Sequence, residues 1–192
     1  MAKKRREEEL PELALPILPK LPIEPAPPRP VEYKRAVGAP ALGLLSDLKV
    51  PWRATEGGTI ALELVLTNRG GPLKGAYVEV AGAGLTQDKL VTARDVAVQG
   101  QPKAKASFTM KAGAARAELP HLALEAGYVE PTGKKKSDVP PPPPPSLRLV
   151  LQVQGEKAGA ALVTVRVGSL DPNEPRGSAL QGKTFVVERP PS

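Results

Sequence analysis

Gly58-Thr59-Ile60-Ala61-Leu62-Glu63-Leu64-Val65-Leu66-Thr67-Asn68-Arg69-Gly70-Gly71-Pro72 decides the fold class of this chain. Ile60, Leu62, Leu64 and Leu66 recur every second residue, while Glu63 and Thr67 fall on the opposite face. That period belongs to a strand with one side in a core. Asn and Gly accept positive φ and Pro has no ladder donor, so Asn68 to Pro72 ends the strand in a turn. On the N-terminal side, Gly57-Gly58 marks another turn, preceded by Pro51-Trp52 and a short strand over Asp47 to Val50.

Moving outward, the same alternation returns. Ala76, Val78 and Val80 alternate with Tyr77 and Glu79, and Val96 and Val98 follow Asp95. Ala104, Ala106, Phe108 and Met110 share one face of a run whose other face carries Lys103, Lys105, Ser107 and Thr109. Leu122, Leu124, Ala126 and Tyr128 make a further strand that Pro120 opens. Beyond Lys134-Lys135-Lys136 and Pro140 to Pro145, a rod of roughly 19 Å if extended, come Leu147 to Val153, Ala161 to Val167 and Thr184 to Glu188. The first two of these, joined by Gly155-Glu156-Lys157-Ala158-Gly159, read as a hairpin with a loop of about five residues. Three strands cannot cover their own face, so they are expected to complete the preceding sheet structure.

Composition agrees. The 192 residues are 41% apolar but only 3% aromatic, so the core is built from Val, Leu, Ile and Ala, and 24 Pro with 18 Gly oppose helix. Without Cys there is no disulfide frame, thiolate nucleophile or cysteine zinc site. The net charge of +7 is spread evenly: 8 basic against 6 acidic residues over 1–45, 13 against 10 over 46–138, and 6 against 4 over 139–192. A nucleic-acid surface gathers its basic residues with aromatics or a groove-reading motif between them, and neither stands in this sequence. Lys3, Lys4, Arg5 and Arg6 are followed by Glu7, Glu8 and Glu9 where a signal peptide turns apolar, and no apolar stretch is long enough for a membrane span. The expectation is a cytoplasmic protein.

Residues 1–45 read as an arm. Pro11, Pro16, Pro19, Pro22 and Pro25 recur about every three residues, the repeat of polyproline II. Leu10, Leu13, Leu15, Ile17, Leu18, Leu21 and Ile23 are interleaved with them. A docking segment needs such apolar content and an inert linker does not, so these seven are candidate partner-binding residues; both readings stay open. Trp52 joins them as a candidate hot spot, or pins its loop to the end of the domain.

The run from Gly58 to Pro72 and on through Leu73-Lys74-Gly75-Ala76-Tyr77-Val78-Glu79-Val80 resembles the second and third strands of bacterial immunoglobulin-like modules of the CARDB kind. In those modules a strand ending in Asn-x-Gly is followed by alternating valines. The resemblance covers about 80 residues, from Asp47 to Tyr128, and implies a fold whose members serve as binding or spacer units, often outside the cytoplasm. The chain lacks the cysteine pair and core tryptophan of antibody domains.

The expectation is therefore an all-β chain, an immunoglobulin-like antiparallel β-sandwich with a disordered proline-rich N-terminal arm. Its parts are the arm over 1–45, the sandwich over 46–130, a Lys/Pro-rich loop or linker over 131–145, and C-terminal strands over 146–189. The residues offer no catalytic set. His121 is the single histidine, and no Gly-x-Ser-x-Gly accompanies it. Gly82-Ala83-Gly84 lacks the third Gly of a dinucleotide loop, and Asp171-Pro172-Asn173-Glu174 lacks calcium-loop spacing. Lys134 to Lys136 can attract an acidic partner or anionic lipid, or stay solvated as three lysines in a proline-flanked loop usually do. No cofactor or metal is expected. The function expected is a non-enzymatic protein-binding scaffold or adaptor whose arm docks a partner protein; the alternative is a structural subunit that self-associates through sheet edges.

Overall fold

The structure is a computed structural model that describes residues 32–45, 49, 53–86, 88–129, 140–173 and 178–191. All of these fall within one unit, Val31–Ser192. No helix occurs among them, and none is therefore long and apolar enough to cross a membrane.

Two sheets face each other. The first has the order β2 (Leu42–Leu44), β4 (Thr59–Asn68), β11 (Ser146–Gly155), β6 (Val91–Val98), β7 (Gln101–Ser107). The second runs β3 (Arg53–Thr55), β13 (Ser178–Glu188), β12 (Gly159–Ser169), β5 (Leu73–Ala81), β9 (Ala114–Leu124), β8 (Thr109–Lys111). A small ladder joins β1 (Lys34–Arg35) to β10 (Tyr128–Val129). Pairing is antiparallel except between β3 and β13. The chain is an all-β, immunoglobulin-like sandwich.

The alternating residues build its core. Leu62, Leu64 and Leu66 of β4, Leu149 and Leu151 of β11, Val78 and Val80 of β5, and Val163, Val165 and Val167 of β12 are buried together between the sheets. Each fully buried Leu or Val contributes about 1.5–3 kcal/mol relative to exposure. One face per strand is apolar, so a slip of one residue in register would turn that face out to solvent.

Five local expectations differ from what forms. Residues 32–45 belong to the sandwich, not to the arm: β1 pairs with β10 and β2 with β4. Strands of two and three residues are too short to show a period, and their partners lie far away in sequence. Second, β11 and β12 form no hairpin. β11 pairs with β4 and β6 and β12 with β13 and β5, so Glu156 to Ala158 carry the chain from one sheet to the other. Third, the run 103–110 is two strands, because the chain leaves the first sheet after Ser107 and joins the second at Thr109. Met110 is consequently 61% exposed rather than in the core. Fourth, Pro120 does not open a strand. It sits inside β9, where the register with β5 shifts opposite Gly75, and its missing N–H is tolerated at that irregularity. Fifth, Tyr128 follows a break after Leu124 and stands in β10.

At one end of the sandwich the Asn68 turn is a buried corner. Asn68 is fully buried, its Oδ1 accepts from Ala41 N (3.1 Å) and Gly70 N (3.0 Å), and its Nδ2 donates to Gly71 O (2.6 Å) and Glu125 O (3.0 Å). All four valences of the amide are used. Gly71 lies so close to the 38–41 segment that an added Cβ would meet Gly38 O at 1.8 Å. The Arg35 guanidinium closes this end, donating to Ala126 O (2.8 Å) and pairing with Glu125 (2.7 Å) while it lies over the Tyr128 ring.

Candidate functional site

The opposite end of the sandwich carries an open groove, and the cause is a bulge in β6. Opposite β11 the register shifts between Asp95, paired with Gln152, and Ala93, paired with Val153, leaving Arg94 as the extra residue. Its side chain turns out along β11, where Nε and Nη2 donate to Gln154 Oε1 (2.9 and 2.5 Å) and Nη2 to Glu156 Oε1 (3.0 Å). On its other side β6 pairs with β7 only as far as Asp95 with Ser107, and the last bond runs from Phe108 N to Arg94 O (2.8 Å). Here β7 peels away and continues as β8 in the facing sheet. A bulge kinks and twists its strand in this way.

Departure of the neighbour leaves the seam between the sheets open. A cavity of about 590 Å³ lies there, lined by Leu85, Thr92, Ala93 and Met110 with Lys89 and Lys157 at its margin. A second cavity of about 340 Å³ continues it past Asp95, Ser107 and Phe108. Thr92, Ala93 and Met110 line both, so the two form one groove along the outer edge of β6.

The loop before β6 makes the groove's upper wall. Gly84 takes φ 90°, which an L side chain rarely adopts, and its carbonyl accepts from Val91 N at 2.8 Å. That bond fixes the start of β6. Lys89 itself has φ 51°. Opposite, Ala112 and Gly113 turn β8 back into β9 with φ 49° and 82° and present Met110 at the mouth.

The charge around the groove is one-sided. Glu156 is held by Arg94, and Asp95 Oδ1 accepts from Ser107 Oγ at 2.7 Å. Among the described residues, neither Lys89 nor Lys157 has an ion-pair partner. The arrangement can receive an apolar group and hold an anion beside it. It brings no nucleophile–base pair together, since exposed His121 on β9 is not a groove residue. No cluster of three potential metal ligands occurs among the described residues.

The partner-binding candidates read from sequence, Leu10, Leu13, Leu15, Ile17, Leu18, Leu21, Ile23 and Trp52, lie outside the described residues. Residues 134–136 do as well. Asp171 stands in an exposed turn in which its Oδ1 accepts from Asn173 N at 2.9 Å. The groove residues were not legible as a site: Met110 reads as core, and the strand reading at Asp95 to Val98 does not reach Thr92 and Ala93. Lys89, isolated between Asp88 and Leu90, carries no motif.

No protein-family model matches the sequence, and no curated protein matches it. Among solved structures, the chain is similar to AvmM, which catalyses macrocyclization in alchivemycin A biosynthesis, at 19% identity over 84% of this chain and 97% of that one, with a TM-score of 0.41. It is similar to the cohesin module of a Clostridium perfringens family 33 glycoside hydrolase at 12% identity over 80% and 100%, TM-score 0.43. The CARDB domain of a Pyrococcus furiosus protein, solved in complex with di-metal ions, matches at 13% identity over 78% and 96%, TM-score 0.38.

Proposed function

We propose that this chain is a non-enzymatic protein-binding module, a rigid sandwich that presents its groove to a partner while the proline-spaced arm adds a second, linear contact. The observation that carries the reading is the groove itself: an apolar seam, open to solvent, beside two lysines that have no ion-pair partner among the described residues. Leu10 to Ile23 support the second contact by composition, since apolar anchors on a polyproline II backbone enter pockets at little ordering cost.

Self-assembly through sheet edges has one long edge to use, since β3 covers β13 at Val186 to Glu188 and no strand among the described residues pairs with the outer side of β13 from Ala179 to Phe185. The other edges suit it less well: β2 and β8 are three residues long, and β7 carries Pro102, Lys103 and Lys105. Short, proline-bearing and lysine-bearing edges resist strand pairing.

The test is affinity capture with the full chain, with a chain lacking residues 1–30, and with Met110→Glu. The truncation stops at 30 because Ala36, Ala39 and Ala41 hydrogen-bond into the Asn68 end of the sandwich. A partner retained by the full chain and lost from either variant, with thermal unfolding unchanged, supports the reading. Equal retention by all three overturns it.

A further inference from the structure

Which peptide groups of β13 lie open along its uncovered edge, Ala179 to Phe185, follows from the ladder on its other side. Leu162 N donates to Ala83 O, so the even-numbered residues of β12 face β5 and Val163, Val165 and Val167 face β13. Those three stand opposite Lys183, Gln181 and Ala179, whose peptide groups are thereby turned to β12. Leu180, Gly182 and Thr184 direct theirs outward, as Glu188 does where its carbonyl accepts from Glu56 N. All three are exposed residues. Leu45 and Lys49, between β2 and β3, bond to β4 in the other sheet, and β3 reaches β13 only from Val186 onward. The outer face of this edge is apolar as well: Leu180 is 61% exposed, and Leu162 and Val186 are 40% exposed each. Leu162 lies beside Gly182, where an added Cβ would find its Cδ1 at 4.0 Å. Gly182 is therefore a notch walled by Leu162, two residues from the projecting Leu180.

We infer that β13 pairs with β13 of a second copy of this chain, antiparallel about a two-fold axis at Gly182. Three features fix this occupant. Gly182 is the midpoint of the uncovered stretch, so an axis there pairs all of Ala179 to Phe185 in both copies before β3 intervenes at Val186. Leu180 then stands opposite the second copy's Thr184 and diagonal to its Gly182 and Val186, within the ~7–8 Å that long side chains span. The knob of each copy meets the notch of the other, the self-complementarity that a two-fold interface requires. Lys183, a charge of the kind that keeps edge strands apart, sets the register. About Gly182 it stands opposite the second copy's Gln181, whereas an axis at Lys183 would place the two lysines against each other. The arm is a poor occupant by comparison, because between Pro11 and Pro30 no proline-free run exceeds four residues and each proline removes a ladder donor.

The dimer leaves both grooves free, since no residue of β13 lines them, and it does not rest on the groove reading. A single strand pair makes an interface below the ~1,200 Å² of stable complexes, so sedimentation equilibrium of the full chain should show a monomer and dimer with a Kd below about 1 mM. Leu180→Glu, which puts a carboxylate at the notch, and Thr184→Pro, which removes an outward N–H and no bond to β12, should each weaken it by about tenfold or more. Thermal unfolding checks each variant, and the exposed Leu180 position carries the test if the proline lowers stability. Register is read by disulfide, because the chain has no Cys of its own. Gln181→Cys mixed with Lys183→Cys sets two thiols on directly opposed residues with Cα atoms about 4.5 Å apart, close enough to bridge. Like with like would have to span the diagonal of ~7–8 Å, so the mixed disulfide should form about tenfold faster or more. Monomer alone at about 1 mM, association unchanged in Leu180→Glu, or a mixed disulfide no faster than either variant by itself each overturns the inference. Association lost on removal of residues 1–30 overturns it too, by placing the contact on the arm.

Discussion

Replacing Asn68 by alanine tests the corner on which one end of the sandwich depends. The amide is fully buried and makes four hydrogen bonds, to Ala41 N, Gly70 N, Gly71 O and Glu125 O. Ala41 is exposed, so its N–H recovers water, whereas Gly71 is buried and its carbonyl is left without the amide donor. An unsatisfied buried group costs about 1–3 kcal/mol, and with the packing lost around the amide the total comes to about 3 kcal/mol. For a domain of this size 1 kcal/mol shifts Tm by roughly 2–4 °C, which gives a fall of about 6–12 °C by thermal circular dichroism. Asn68→Asp sharpens the test at nearly constant shape. Its carboxylate still accepts from Ala41 and Gly70 but faces the Gly71 and Glu125 carbonyls with no proton to donate. Burial and those carbonyls raise its folded pKa above the unfolded value of about 3.9. The deficit relative to wild type is then smallest below that pH and grows as pH rises through the folded pKa. A loss under about 0.5 kcal/mol for Asn68→Ala, or a pH-independent deficit for Asn68→Asp, would refute the account.

Gly71→Ala should destabilise by about 3 kcal/mol or more, because its Cβ would meet Gly38 O at 1.8 Å and backbone cannot yield cheaply; urea titration measures it. Leu151→Ala, in the middle of the first sheet at 0% exposure, should cost about 2–5 kcal/mol in the same assay through the cavity it leaves. Met110→Ser should change stability by less than about 0.5 kcal/mol, since the side chain is largely exposed. The sequence pattern alone would place it in the core and predict a severe loss, so this substitution separates the two readings.

The sequence by itself determined that the chain is all-β, where most strands lie and which face of each is buried. Ile60, Leu62, Leu64 and Leu66, or Val163, Val165 and Val167, declare this locally, because side chains alternate at every step of a strand whatever its neighbours do. The tertiary structure decided which strands are neighbours. Alternation reads the same for a chain that turns back beside itself and for one that crosses to the facing sheet, which is why 147–153 and 161–167 look like a hairpin and are not. The same ambiguity hid the groove. Ala104 to Met110 keep one unbroken period through Phe108, yet the chain changes sheets there, and only that crossing exposes Met110 and opens the edge of β6. Asn68 was legible as a turn residue but not as a buried one, since its four partners come from residues 41, 70, 71 and 125, and three folded segments must meet before the amide has anything to bond.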